Sequence, residues 1–77
     1  MRINDEYKIE MVLVEINKDG SYEKTYDNFE EYKNNSLYNS FNYCFRVVDR
    51  FNRIPDGCYP YHDSPEEAMM DYICNVK

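Results

Sequence analysis

The sequence is poor in the residue types on which most enzymatic sites depend. Its 77 residues include no Trp, a single His and only two Gly. Two isolated glycines cannot build the Gly-rich loop that cradles phosphate groups, and no Ser-His-Asp order is present. The usual enzymatic templates are therefore missing, and we predict that the chain is not an enzyme and carries no cofactor.

Cysteine is also sparse, and its spacing is informative. Cys44, Cys58 and Cys74 are an odd number and form no Cys-x-x-Cys pair, which favours reduced thiols in the cytoplasm. No basic segment followed by an apolar run begins the chain, and no stretch approaches the roughly 20 apolar residues of a membrane span. We therefore expect a cytoplasmic protein without a membrane partner.

Cys58, His62 and Asp63 lie close together in the sequence and keep one enzymatic alternative open. Cys and His can form a nucleophile and its base, and zinc needs about four such ligands in a tetrahedron. A Cys-x-x-x-His spacing alone is a weak signal, since a free Cys is often a small buried hydrophobe. The sequence thus predicts no metal, and a thiol- or metal-dependent enzyme is the least favoured interpretation.

A short pattern of residues occurs twice in the sequence. Asp19-Gly20-x-Tyr22 leads to the segment 27–31, and Asp56-Gly57-x-Tyr59 leads to the segment 63–67. We call these the first and the second copy. Each one predicts a turn, a Tyr-bearing strand and a capped helix start.

The remaining periodicity predicts the elements around this repeat. Alternating apolar residues predict a central strand over Tyr7–Ile16, and 21–26 predicts the strand that returns from the first turn. Asn28 and Ser64 are the expected N-caps of two helices. In the second helix we expect one apolar stripe to pack on the sheet; its members are Met69, Tyr72, Ile73 and Val76.

Residues 41–54 fit two structures. Phe41, Tyr43, Phe45 and Val47 alternate as in a strand, whereas other apolar residues of the same segment have helical spacing. The repeat favours the strand, because a strand should precede the second Asp-Gly turn, and it predicts a short edge strand over 58–61. We therefore predict one acidic α+β domain over residues 1–77, in the order ββαββα with both helices on one face of an antiparallel sheet. A β-hairpin plus helices is the alternative.

Charge is distributed unevenly along the chain. The net charge is −6, and the ranges 1–33, 34–55 and 56–77 contribute −4, +2 and −4. Acids favour a first helical turn, which accounts for part of this pattern. The arrangement also predicts an acidic surface that repels nucleic acid and attracts a basic partner.

One basic island separates the two acidic ranges. It consists of Arg46, Arg50 and Arg53. These arginines are expected to pair with acids of their own chain, where surface pairs contribute little stability. The alternative is a homodimer in which the island of one copy of the chain meets an acidic helix of the other.

The leading functional hypothesis is a non-enzymatic acidic module that binds and modulates a larger basic protein, without binding nucleic acid directly. In size and charge, though in no motif, the chain is similar to phage-encoded inhibitors such as anti-CRISPR proteins and uracil-DNA glycosylase inhibitors. That resemblance implies a nucleic-acid mimic that inhibits its target stoichiometrically. The predicted partner-binding residues are the acids and tyrosines of the two helix starts: Asp27, Glu30, Glu31, Tyr59, Tyr61, Asp63, Glu66, Glu67 and Asp71.

Overall fold

A computed structural model of the protein describes residues 1–35 and 40–76. The described chain is a small α+β protein with a three-stranded antiparallel sheet of strand order β2-β1-β3 and two helices. None of the described helices is long and apolar enough to cross a membrane. In chain order the elements are β1 (Tyr7–Ile16), β2 (Tyr22–Tyr26), α1 (Phe29–Asn35), β3 (Ser40–Asp49) and α2 (Pro65–Asn75).

The predicted order ββαββα is wrong in its fourth strand. Residues 58–61 belong to no strand, and only His62 forms an isolated antiparallel bridge, with Phe45. Pro60 has no N–H to donate to a ladder, and the N–H of Tyr59 is donated to the Asp71 carboxylate at 2.7 Å. The backbone of residues 58–61 therefore bonds to a side chain of α2, Asp71, and not to a neighbouring strand.

The strand predicted within residues 41–54 is confirmed as β3, and the helical alternative is wrong. Cys44, Val47 and Val48 of this strand are fully buried. β1 has the predicted bounds and the predicted central position in the sheet. Its residues Val12–Glu15 are all buried, as expected of a strand that is covered on both faces.

By its internal contacts the chain divides into two compact units. Unit 1 comprises Met1–Met11 and Cys44–Lys77, and unit 2 comprises Val12–Tyr43. The core of unit 1 is built on Ile9, Val47 and Ala68, against which Ile3, Tyr7, Phe45, Met69 and Tyr72 pack. The core of unit 2 is built on Leu13, Tyr26 and Tyr32.

The apolar stripe predicted for α2 is only partly right. Met69 and Tyr72 pack on the core of unit 1, but Ile73 is 63% exposed. The helix is rotated so that Ala68, which is fully buried, faces Ile9 and Val47. Because Ala68, Met69 and Tyr72 occupy the core side of the helix, Ile73 lies outside it and is exposed to solvent.

Unit 2 contains one buried carboxylate. Glu15 is only 1% exposed, and it accepts a 2.9 Å hydrogen bond from the hydroxyl of Tyr26. The pKa of Tyr26 is raised above its ordinary value, mainly by burial and to a smaller extent by this hydrogen bond. The phenol thus supplies the donor that a buried carboxylate requires.

Candidate functional site

The outer side of α2 in unit 1 combines exposed apolar residues with acids. Met70 and Ile73 are 59% and 63% exposed, and Cys74 is also exposed. Glu66 and Glu67 lie one turn before them and are exposed too. We call these five residues, Glu66, Glu67, Met70, Ile73 and Cys74, the α2 face.

The acidic end of the α2 face is shaped by the helix cap. Ser64 is the N-cap, and its hydroxyl accepts the N–H of Glu67 at 3.2 Å. The Glu67 carboxylate in turn accepts the N–H of Asp63 at 3.1 Å. This is the reciprocal arrangement of a capping box, shifted by one residue on the return bond. It confirms the predicted helix start and fixes Glu67 on the surface.

Within the described residues, the carboxylates at the start of α2 are not neutralised by Lys or Arg. Over residues 1–35 and 40–76, no Lys or Arg side chain forms an ion pair with Asp63, Glu66 or Glu67. Two of the three arginines of the basic island pair with other acids. Arg46 pairs with Glu10 at 3.1 Å, and Arg53 pairs with Asp49 at 3.4 Å.

Asp71 has a different role from the other predicted acids. Its side chain is 8% exposed and accepts hydrogen bonds from the backbone N–H of Tyr59 and the Nε2 of His62, both at 2.7 Å, and from the amide of Asn75 at 2.6 Å. We call this set the Asp71 hub. It ties the segment before α2 to the helix, so Asp71 positions that segment.

The hub also determines the protonation of its own groups. Burial raises the pKa of Asp71, but hydrogen bonds from His62, the Tyr59 backbone and Asn75 together lower it by more, and the net shift is downward. Burial also raises the pKa of the Cys58 thiol, as do the charge of Asp71 and a hydrogen bond to it. Cys58 is therefore held as a protonated thiol next to a carboxylate, the opposite of the environment that activates a thiolate nucleophile.

The described part of the chain does not meet the requirements of a metal site. No group of three or more His, Cys, Asp or Glu side chains there has the arrangement to hold a metal ion. Cys44 is buried, Cys58 is half-buried and Cys74 is exposed.

Tyr59 is an exposed aromatic residue of the segment that precedes α2. Its ring is 52% exposed and lies 5.5 Å from the His62 ring and 5.7 Å from the Tyr61 ring, measured between centroids. His62 lines the same shallow groove as Glu66, Glu67, Met70 and Cys74. The exposed Tyr59 of the second copy thus lies beside His62, while Tyr61 is half-buried.

The acids of the first copy lie in unit 2. Asp27 and Glu30 are exposed and Glu31 is half-buried at the start of α1. Asn28 caps this helix as predicted, because its side-chain oxygen accepts the N–H of Glu31 at 2.8 Å. Each acidic helix start thus belongs to its own unit.

Unit 2 carries an aromatic patch that the sequence reasoning missed. Phe29, Phe41 and Tyr43 are 48%, 41% and 43% exposed. Phe41 lies 5.6 Å from Phe29, 5.0 Å from Tyr32 and 5.9 Å from Tyr43 between ring centroids. The alternation of Phe41 and Tyr43 along β3, together with Phe29 and Tyr32 on one side of α1, was the signal for it.

No protein-family description, no curated protein and no solved structure matches the chain.

Proposed function

We propose that the protein is a non-enzymatic acidic module that docks through its α2 face on a basic surface of a larger protein. The observation that carries the proposal is the exposure of Met70 and Ile73 next to carboxylates that no Lys or Arg of the described chain neutralises. Apolar anchors bordered by charge are typical of a protein-binding surface.

The chemistry of the face defines the partner. Exposed methionine and isoleucine gain most from a partner that removes them from water, and the adjacent glutamates favour arginine or lysine on that partner. With a net charge of −6 the chain is repelled by phosphate backbones. A protein groove that normally holds nucleic acid has the matching basic character, so we infer a stoichiometric modulator of a nucleic-acid-handling protein, of the kind that phages and mobile elements encode.

The arrangement of Cys58 and His62 favours binding over catalysis, because a thiol enzyme would need these two residues as its nucleophile and base. Burial and the neighbouring Asp71 raise the pKa of the Cys58 thiol, while the Nε2 of His62 is bonded to Asp71. A Cys-His nucleophile needs the thiol to transfer its proton to the imidazole. In the Asp71 hub, His62 instead holds the segment before α2 on the helix.

The test is affinity capture with the immobilised protein from host lysate, at low and at high salt. Wild type is compared with Glu66→Lys, which reverses one exposed charge of the face, and with Met70→Ser/Ile73→Ser, which removes its apolar anchors. Glu6→Lys is the matched control, because Glu6 is an exposed acid remote in sequence from α2.

We expect a basic or nucleic-acid-bound protein that wild type and Glu6→Lys retain at low salt, and that both face variants lose. Excess DNA or RNA should displace that protein, because it competes for the same groove. Capture that is equal for all four proteins, or no enrichment of any basic protein, contradicts the proposal.

A further inference from the structure

The turn at the end of β3 in unit 1 presents an aromatic ring between two arginines. Phe51 is 62% exposed, and the guanidinium carbons of Arg50 and Arg53 lie 5.1 and 5.0 Å from its ring centroid. Both distances are within the range of a cation–π contact. We call residues 50–53 the Arg-Phe knob.

The Asp49 carboxylate holds the knob in one conformation. One of its oxygens accepts the N–H of Phe51 at 2.8 Å and that of Arg53 at 3.0 Å. The backbone of Asp49 also bonds to Asn52 and Arg53, and Asn52 adopts a φ of 60°. A surface group that is already ordered loses little conformational entropy when it binds.

The knob and the α2 face are complementary in charge and in chemistry. The knob offers two guanidinium groups around one apolar ring, and the face offers Glu66 and Glu67 next to Met70 and Cys74. Methionine sulfur makes favourable contacts with aromatic rings. The knob does not cover the face of its own chain, because Phe51 and Met70 are each more than half exposed.

We propose that the α2 face of one copy of the protein binds the Arg-Phe knob of a second copy, with Phe51 against Met70 and the arginines next to Glu66 and Glu67. Both surfaces belong to unit 1, so each copy contributes a knob and a face. Reciprocal contacts give a closed dimer, and a contact that does not close gives a chain of copies.

This inference concerns the free protein and goes beyond the proposed function. A second copy and a basic partner would use the same face, so self-association and partner binding are mutually exclusive. The protein would then present its α2 face fully only when it is dilute or when a stronger basic ligand displaces the knob.

Sedimentation velocity of the purified protein from low micromolar to near-millimolar concentration tests the proposal. We expect the sedimentation coefficient to rise with concentration for the wild type and for a matched control, Lys18→Glu/Lys33→Glu. This control lowers the net charge by the same amount as Arg50→Glu/Arg53→Glu, at residues outside both surfaces. Arg50→Glu/Arg53→Glu and Glu66→Lys/Glu67→Lys should each remain monomeric.

Mixing these last two variants provides the decisive step. The first has an acidic knob and an acidic face, the second has a basic knob and a basic face, so an equal mixture should associate although neither variant does alone. Phe51→Ala should weaken association about tenfold without any change in charge. Far-UV circular dichroism verifies that each variant is folded, and Arg50→Gln/Arg53→Gln replaces the glutamate variant if the latter is not.

A wild type that stays monomeric throughout this range overturns the inference, as does self-association that both charge variants retain or a mixture that fails to associate. None of these results affects capture of a basic partner by the α2 face. The failure of the inference is thus distinguishable from failure of the proposed function.

Discussion

The two Asp-Gly turns share a left-handed glycine, but they differ in register and lead to different structures: Gly20 donates its own N–H to Asn17, whereas in the second turn Cys58, the residue after Gly57, donates to Pro55. Gly20 and Gly57 adopt φ values of 89° and 88°. In the first copy Asn17 and Ser21 close a hairpin with a 2.8 Å hydrogen bond, and β2 pairs with β1 from there. In the second copy the chain leaves the turn and bonds to the Asp71 hub. A turn motif therefore sets a local reversal, and the available hydrogen-bond partner decides whether the next segment becomes a strand.

The largest expected effect comes from Asp71→Asn, which damages only the second copy. The amide places an N–H group next to the donors of Tyr59 and His62, and we expect a loss of about 2 to 3 kcal/mol in the free energy of unfolding. Urea denaturation measures it. Asp19→Asn is the matched control in the exposed first turn, where a change of less than about 0.5 kcal/mol is expected. Equal losses at the two positions would remove the distinction between the copies.

The acid limb of stability should depend on the same carboxylate. The pKa of Asp71 in the folded protein is below its ordinary value, so the group stabilises the fold above the unfolded pKa of about 3.9. That contribution is lost as the pH falls through the lower folded pKa. Urea midpoints measured from neutral to acid pH should decline for wild type and decline less for Asp71→Asn. Parallel curves would show that other acids govern this limb.

Gly20→Ala and Gly57→Ala test whether the turns themselves are equivalent. Each substitution forces an alanine into the left-handed region, at a cost of about 1 kcal/mol. The added methyl group meets nothing within 4 Å at Gly20 and only an ordinary 3.9 Å contact with Asn75 at Gly57. Thermal or urea unfolding should therefore give similar losses. A much larger loss at one turn would mean that the two left-handed glycines are not equivalent.

The smallest effect is expected on the outer side of α2. Met70→Ser/Ile73→Ser should change the free energy of unfolding by no more than about 0.5 kcal/mol, because both residues are exposed. Val47→Ala, in the core beneath the same helix, should cost about 2 kcal/mol. Urea denaturation compares them. A large loss in the double variant would mean that this side of α2 is packed.

The sequence was most informative where a pattern is local. β1 and both helix caps can be predicted from alternation and capping residues, and the repeat correctly predicted the strand before Asp56-Gly57. The repeat wrongly predicted a strand after that turn. The N–H of Tyr59 is donated to the carboxylate of Asp71, twelve residues further along. Sequence spacing carries no information about such a contact.

The candidate site was predictable in its acids but not in its apolar part. The capping pattern indicated Glu66 and Glu67, and the repeat indicated Tyr59. The exposure of Ile73 depends on the rotation of α2, which the close contact of Ala68 with Ile9 and Val47 decides. Periodicity identifies an apolar stripe on a helix, but it does not determine which of two neighbouring rows of residues faces the core.

The buried pair of Tyr26 and Glu15 makes unit 2 visible to alkaline spectrophotometric titration. The chain has nine tyrosines and no tryptophan, so its phenolate absorbance comes from tyrosine alone. Tyr26 in the folded protein ionises at a higher pH than a free phenol, because burial and the adjacent carboxylate oppose a second negative charge. Comparison of the wild type with Tyr26→Phe isolates the absorbance of this phenol, so the pair can be followed without a label or an added chromophore.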